Sequence, residues 1–363
     1  MTTLLRSRAP EMDRRPDAGG IATSIARTSF LRRSSLEPES GRGHTEWLHF
    51  SIGGPELTLL VNMSVADDLR PSAPRGRERG RVVVLVREGG RWDGGADEVP
   101  CAEMKIRGGA IDVVLGESRA VFEQGVFRLS GRLRTRDVAF ELELRPISFP
   151  SLASNVALGP GEEPINWAVV PALRADGWVT VDGSRRELRG VPAYHDHNWG
   201  YFSHRNFAWQ WGHATSGDRS NPVSFVFTRL LNGAQTEVRM QALLLWYAGR
   251  QLRVFRDDDV TVSAEGFLRK DVFTVPKAAR LLAGPAATDI PLRLRFEAAG
   301  GGDSLTGHFD AEDAARIVVP NEHDLGTTLI HEVVGRLELR GNVRGVPFEL
   351  STHAVFECLG RGP

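Results

Sequence analysis

Tyr194-His195-Asp196-His197-Asn198-Trp199-Gly200 is the stretch of this 363-residue chain from which the rest is read. With its continuation to His213 it holds four of the ten His and three of the eight Trp, a density that a plain sheet connection does not need. Imidazole, carboxyl and phenol groups hold or move protons, and indole faces line apolar pockets or meet cations. The crowding marks a candidate site. In an extended chain, alternate side chains share a face. His195, His197 and Trp199 then lie on one side, and Tyr194, Asp196 and Asn198 on the other. Past a turn at 200–205, Phe207, Trp209, Trp211 and His213 alternate in the same way. The simplest geometry is two antiparallel strands, one rich in proton-handling groups and one in aromatics.

Outward from this stretch the pattern stays β. Leu57–Val61, Arg81–Val86, Ile111–Leu115, Val126–Leu129 and Val138–Leu144 are short β-branched or alternating runs punctuated by Gly and Asp, the pattern of an all-β sandwich or barrel. Residues 70–80 and 146–164 read as loops, and Asn166–Pro171 and Gly177–Val181 as two strands before the turn at Asp182-Gly183. Val223–Leu230, Val238–Tyr247, Val260–Val262, Leu292–Phe296, Gly335–Arg340 and Val346–Phe356 continue the series. Asp310–Arg316 is a short-helix candidate with Asp310 as N-cap, and Pro276–Leu282 reads equally as a short helix or a loop. The expected organisation is a disordered tail over residues 1–40, a domain over 41–250 that carries the motif, and a second β domain over 251–363.

Composition is ordinary for a globular chain, with 41% hydrophobic and 25% charged residues. The net charge of −1 supplies no field for nucleic acid, so none is expected as a partner. Cys101 and Cys358 are too few for a disulfide framework or a thiolate metal site, which points to a reducing compartment. Arg32-Arg33 is followed by Ser34-Ser35-Leu36-Glu37-Pro38 rather than an apolar stretch, and no run nears a membrane span. The expectation is a cytoplasmic protein with at most peripheral membrane contact.

Trp167-x-x-x-Pro171, Gly177, Gly190 and the heptad 194–200 resemble the carotenoid 1,2-hydratase (hydroxyneurosporene synthase) family. A related motif occurs in the lipocalin-like fungal Diels–Alderases. Glu46-Trp47-Leu48-His49-Phe50 resembles the family's Glu-Trp-Trp-Tyr-Phe signature and departs from it at Leu48 and His49. The resemblance covers roughly residues 44–247. It implies two tandem lipocalin-like β-barrel or β-sandwich domains and a hydrophobic ligand in or between them. It also implies cofactor-independent chemistry on a polyene, isoprenoid or polyketide, by alkene hydration or by cyclisation of the Diels–Alderase type. A non-catalytic lipid or pigment carrier is the reading from another class.

Alkene hydration needs an acid, a sheltered cation and a placed water. Burial raises a carboxyl pKa, so Asp196 is the candidate acid, with His195, His197 and Tyr194 beside it as proton-handling groups. Asp196 and Asn198 serve equally well as a structural network at a strand end. Trp199, Trp209 and Trp211, with Trp47, Asn198 and His213, are candidates for substrate contact, and Glu46 for contact or for a second acid. His195-x-His197 has metal-ligand spacing, with His213, Glu46 or His49 as a third ligand. Nothing fixes that third ligand, so no metal is expected. The Gly-x-Ser-x-Gly elbow of a serine hydrolase is missing.

Overall fold

The computed structural model describes residues 16–32, 44–66, 78–159, 164–202, 207–216, 222–280, 289–320 and 327–361. They form two large sheets, one of 12 strands and one of 10. Every ladder is antiparallel except that of the short Phe273–Val275 strand, which pairs parallel with Asp303–Pro320. The fold is all-β, with two lipocalin-like units.

Why two sheets form follows from where the apolar faces point. Leu48, Phe50, Leu59, Val61, Val84, Phe127, Leu142 and Val170 come from strands across the first sheet and pack into one core. Phe225, Phe227, Phe296, Leu305, Leu337 and Phe356 do the same inside the second. A third cluster lies between the sheets, with Trp167, Val169 and Tyr194 of the first against Phe207, Trp209, Val226 and Trp246 of the second. Arg87 of the first sheet reaches Asp313 of the second at 3.4 Å, and Thr58 lies 3.1 Å from His353 Nε2 across the same seam.

The motif sits at the end of one long strand, Ser184–Gly200. Its neighbours are Thr45–Gly53 and Ile165–Val181. The runs 166–171 and 177–181, expected as two strands, belong to one, because its irregularities are bulges rather than breaks. Ala175 pairs with Val191 but Gly177 with Leu188, so one extra residue is inserted around Gly190. A bulge of this kind resets which residues face the core. Gly190 fits it because its φ is +60°, and its N–H donates to Asp176 at 2.8 Å.

Three expectations change. The motif strand and Phe207–Thr215 do not pair with each other. The first belongs to the 12-stranded sheet, and the second pairs with Val223–Asn232 and Val346–Arg361 in the other. The two strands therefore meet face to face across the seam. Accordingly the change of sheet falls between Gly200 and Phe207 and not near residue 250. Asp310–Arg316 is strand, inside Asp303–Pro320, where a ladder to Thr327–Val343 overrides the helix propensity of its alanines. In the other helix-or-loop candidate Lys277–Ala279 forms a 3₁₀ turn, and Leu281 and Leu282 lie outside the described residues.

The expected tail also changes. Ala18–Thr28 is a helix, α1. Asp17 caps it by accepting from the Gly20 N–H at 2.8 Å. Ile21 and Ile25, four residues apart and so on one face, enter the core of the first sheet. Residues 1–15 and 33–40 lie outside the described residues. Ile25 is fully buried, so Ile25→Ala is expected to cost about 2–5 kcal/mol of stability, read as a lower denaturation midpoint.

Candidate active site

The motif strand faces two interiors. Register with Thr45–Gly53 sets Glu46 opposite Trp199, Leu48 opposite His197 and Phe50 opposite His195. Pleating turns this row toward the first sheet's own core. Trp47, His49 and Ser51 lie opposite Asn198, Asp196 and Tyr194, and this second row turns toward the other sheet.

The inward row is a closed polar relay. His195 stacks on Phe50 with centroids 4.3 Å apart, and its Nδ1–H donates to the His49 carbonyl at 2.9 Å. The Ser29 hydroxyl, at the C-terminal end of α1, lies 3.2 Å from His195 Nε2 and 3.4 Å from His197 Nδ1. His197 Nε2–H donates to Glu46 at 2.7 Å, and the Arg32 N–H donates to the same oxygen at 2.8 Å. Burial works against ionisation of Glu46, but the His197 hydrogen bond and charge outweigh it and hold the carboxyl below its usual range. Burial also depresses His195 to about 3, leaving a neutral imidazole. The Arg32 guanidinium lies 4.1 Å over the Trp199 ring. His195, His197, Glu46 and Trp199 therefore hold α1 in place. They do not line the cavity between the sheets.

The outward row meets the second sheet at that cavity. Its walls are Trp47, Trp167, Phe207, Trp209, Trp211 and Leu230, and its polar lining is His49, Asp196, Asn198, His213, Glu332 and Glu357. The cavity measures about 30 Å³, room for roughly two waters. Phe207, Trp209, Trp211 and His213 share the cavity face, as alternation requires. Gly212 between them leaves space for the Phe356 ring, which a Cβ there would meet at 2.4 Å.

Asp196 sits at the centre. Asn198 Nδ2 donates to it, and so does the Tyr194 hydroxyl, which in turn accepts from Trp211 Nε1 at 2.8 Å. The Tyr194 ring stacks on His213 at 3.8 Å and 3°. Burial and the facing Glu357 raise the Asp196 carboxyl well above its ordinary range, more than these two hydrogen bonds lower it. Burial, then Asp196, raise the Tyr194 phenol too. His49, depressed to about 4, and His213, held well below its ordinary range, are kept neutral by burial.

Glu332 and Glu357 are site residues that the sequence reading missed. They are register partners on adjacent strands of the second sheet and share a hydrogen bond. Burial raises both, and Glu357 also accepts from Trp209 Nε1. The available signal was a lone acid inside an apolar run, as in Ile330-His331-Glu332-Val333-Val334 and Val355-Phe356-Glu357-Cys358-Leu359. His49, Glu332 and Glu357 have potential ligand atoms within 4.8 Å of one another. His195 and His197 cannot join them, because they point to the other interior.

The class that this fold defines is the two-unit lipocalin-like β protein, as the resemblance implied. Solved structures of the same arrangement include an AttH-like protein from Nitrosomonas europaea, at 15% identity over 93% of this chain and 98% of that one, TM-score 0.63. CghA with Sch210972 matches at 14% identity over 92% and 94%, TM-score 0.59. Kievitone hydratase from Nectria haematococca matches at 13% identity over 92% and 95%, TM-score 0.57. At these identities the likeness is one of fold. No family model matches the chain, and no curated protein matches it in sequence. No helix among the described residues is long and apolar enough to cross a membrane.

Proposed function

We propose that the protein is a cofactor-independent enzyme that adds water to, or cyclises, a hydrophobic unsaturated small molecule by acid catalysis. The observation that carries this reading is Asp196, a buried carboxyl kept neutral in the lining of an aromatic-walled cavity. A buried neutral carboxyl is a proton donor at neutral pH, and indole faces shelter a developing cation. The fold is shared with a protein named as a hydratase, kievitone hydratase, which supports the same reaction type.

The test is mass spectrometry of the purified protein incubated with linear carotenoids, prenylated phenols and polyene tetramic acids. Gain of the mass of water identifies hydration. An isomer with a new retention time identifies cyclisation, with the walls as template. Binding of a panel member without product overturns the enzyme reading in favour of a carrier.

A further inference from the structure

We infer that Glu332 and Glu357 form a carboxyl pair that holds one shared proton and accepts the proton of the attacking water across the cavity from Asp196. The inference rests on the hydration reading above. Its basis is geometric. The two acids are cross-strand partners, both line the cavity, and their side chains are hydrogen-bonded to each other. Two carboxylates this close, away from solvent, cannot both ionise. Among the described residues no Lys, Arg or His forms an ion pair with either. The titratable groups that face them are Asp196 from the motif strand, His49 from Thr45–Gly53 and His213 from Phe207–Thr215. None of these supplies a positive charge. Glu332 Oε2 is buried without a partner, and so are His49 Nδ1 and His213 Nε2. A buried acceptor without a partner is unfavourable, so Glu332 has a lone pair ready for a proton. The Trp209 indole fixes Glu357 from the other side.

The step balances. Asp196 gives its proton to one alkene carbon, and the C=C π pair becomes the new C–H bond. Water oxygen bonds to the neighbouring cationic carbon and loses a proton to the Glu332–Glu357 pair. That pair, now carrying two protons, returns one to the Asp196 carboxylate through cavity water as product leaves. Hydrogen and hydroxyl arrive from opposite sheets, so the addition is anti.

Infrared spectra of the full chain in H₂O and D₂O at pH 7 test the pair without any substrate. The expected result is two neutral buried carboxyls in the parent, one lost in Asp196→Asn and the other in Glu332→Gln/Glu357→Gln. Should the double variant not fold, the parent count decides alone. Three neutral carboxyls overturn the inference, because a doubly protonated pair is no base. One also overturns it, and equimolar zinc or manganese by elemental analysis would identify a cation in place of the proton. With a panel compound that turns over in D₂O and carries an isotopic label in one of its two terminal methyls, so that the carbinol carbon becomes a stereocentre, deuterium and hydroxyl on opposite faces are expected, and same-face addition overturns the assignment. If no compound reacts, the function reading fails while the carboxyl count still decides the pair.

Discussion

Asp196→Asn is expected to lower product formation by about 10²–10⁴-fold, the usual contribution of a positioned acid, without unfolding the protein. The amide fits the same space and still accepts from Tyr194, but it has no acidic proton to give. Stability moves the other way. The Asp196 carboxyl is raised in the fold, so the folded state's preference for the neutral form is fully expressed below the unfolded carboxyl pKa. That advantage drains away as pH rises toward and through the folded value, by up to about 1.4 kcal/mol per pH unit. The uncharged amide escapes this loss. Thermal melts of the two proteins between pH 5 and 9 are therefore expected to diverge, with the variant gaining on the parent as pH increases. A variant that turns over like the parent would remove Asp196 from the chemistry.

Glu46→Ala is expected to give the largest loss of stability, about 3–5 kcal/mol, because it strands buried partners rather than merely deleting a contact. His197 Nε2 and the Arg32 N–H both lose their acceptor, and α1 loses its attachment through Ser29. Glu46→Gln keeps an oxygen for one donor and is expected to lose less. The linkage is opposite in sign to that of Asp196. The Glu46 pKa is lowered in the fold, so its contribution is present above the unfolded carboxylate pKa and disappears as pH falls through the folded value. Denaturant titrations at pH 7 and pH 4 check this: the gap between parent and Glu46→Ala should narrow in acid. Limited proteolysis gives a second readout, since residues 16–32 should be cut sooner in the variant.

The strand content was legible because Val-, Leu- and Ile-rich runs such as Arg81–Val86 allow few alternatives. The alternation at 194–199 and 207–213 was legible for the same reason: period two is a local property. What local pattern does not encode is which strand pairs with which. The sheet change after Gly200 depends on ladders that join Phe207–Thr215 to Val346–Arg361, well over a hundred residues away. Glu332 and Glu357 were missed on that account, since only long-range pairing brings them opposite Asp196. The helix α1 was hidden by its Arg-, Ser- and Gly-rich flanks, although Asp17 three residues before Gly20 and the Ile21/Ile25 spacing were present. Glu46 was found in the sequence as a candidate acid of the site. Its neighbours make it an ionised anchor for α1 instead.

The motif strand works as a party wall, and its mutational record should show it. Substitutions at 195, 197 and 199 disturb the room that holds α1, so they should register as lost protein: low yield, low melting temperature, early aggregation. Shape-conserving substitutions at 194, 196 and 198, such as Tyr194→Phe and Asp196→Asn, open onto the other room, and should register as protein that is made in normal amounts and does nothing. A saturation scan that measures abundance and turnover separately would then trace two interleaved profiles, each silent where the other speaks, along six consecutive residues.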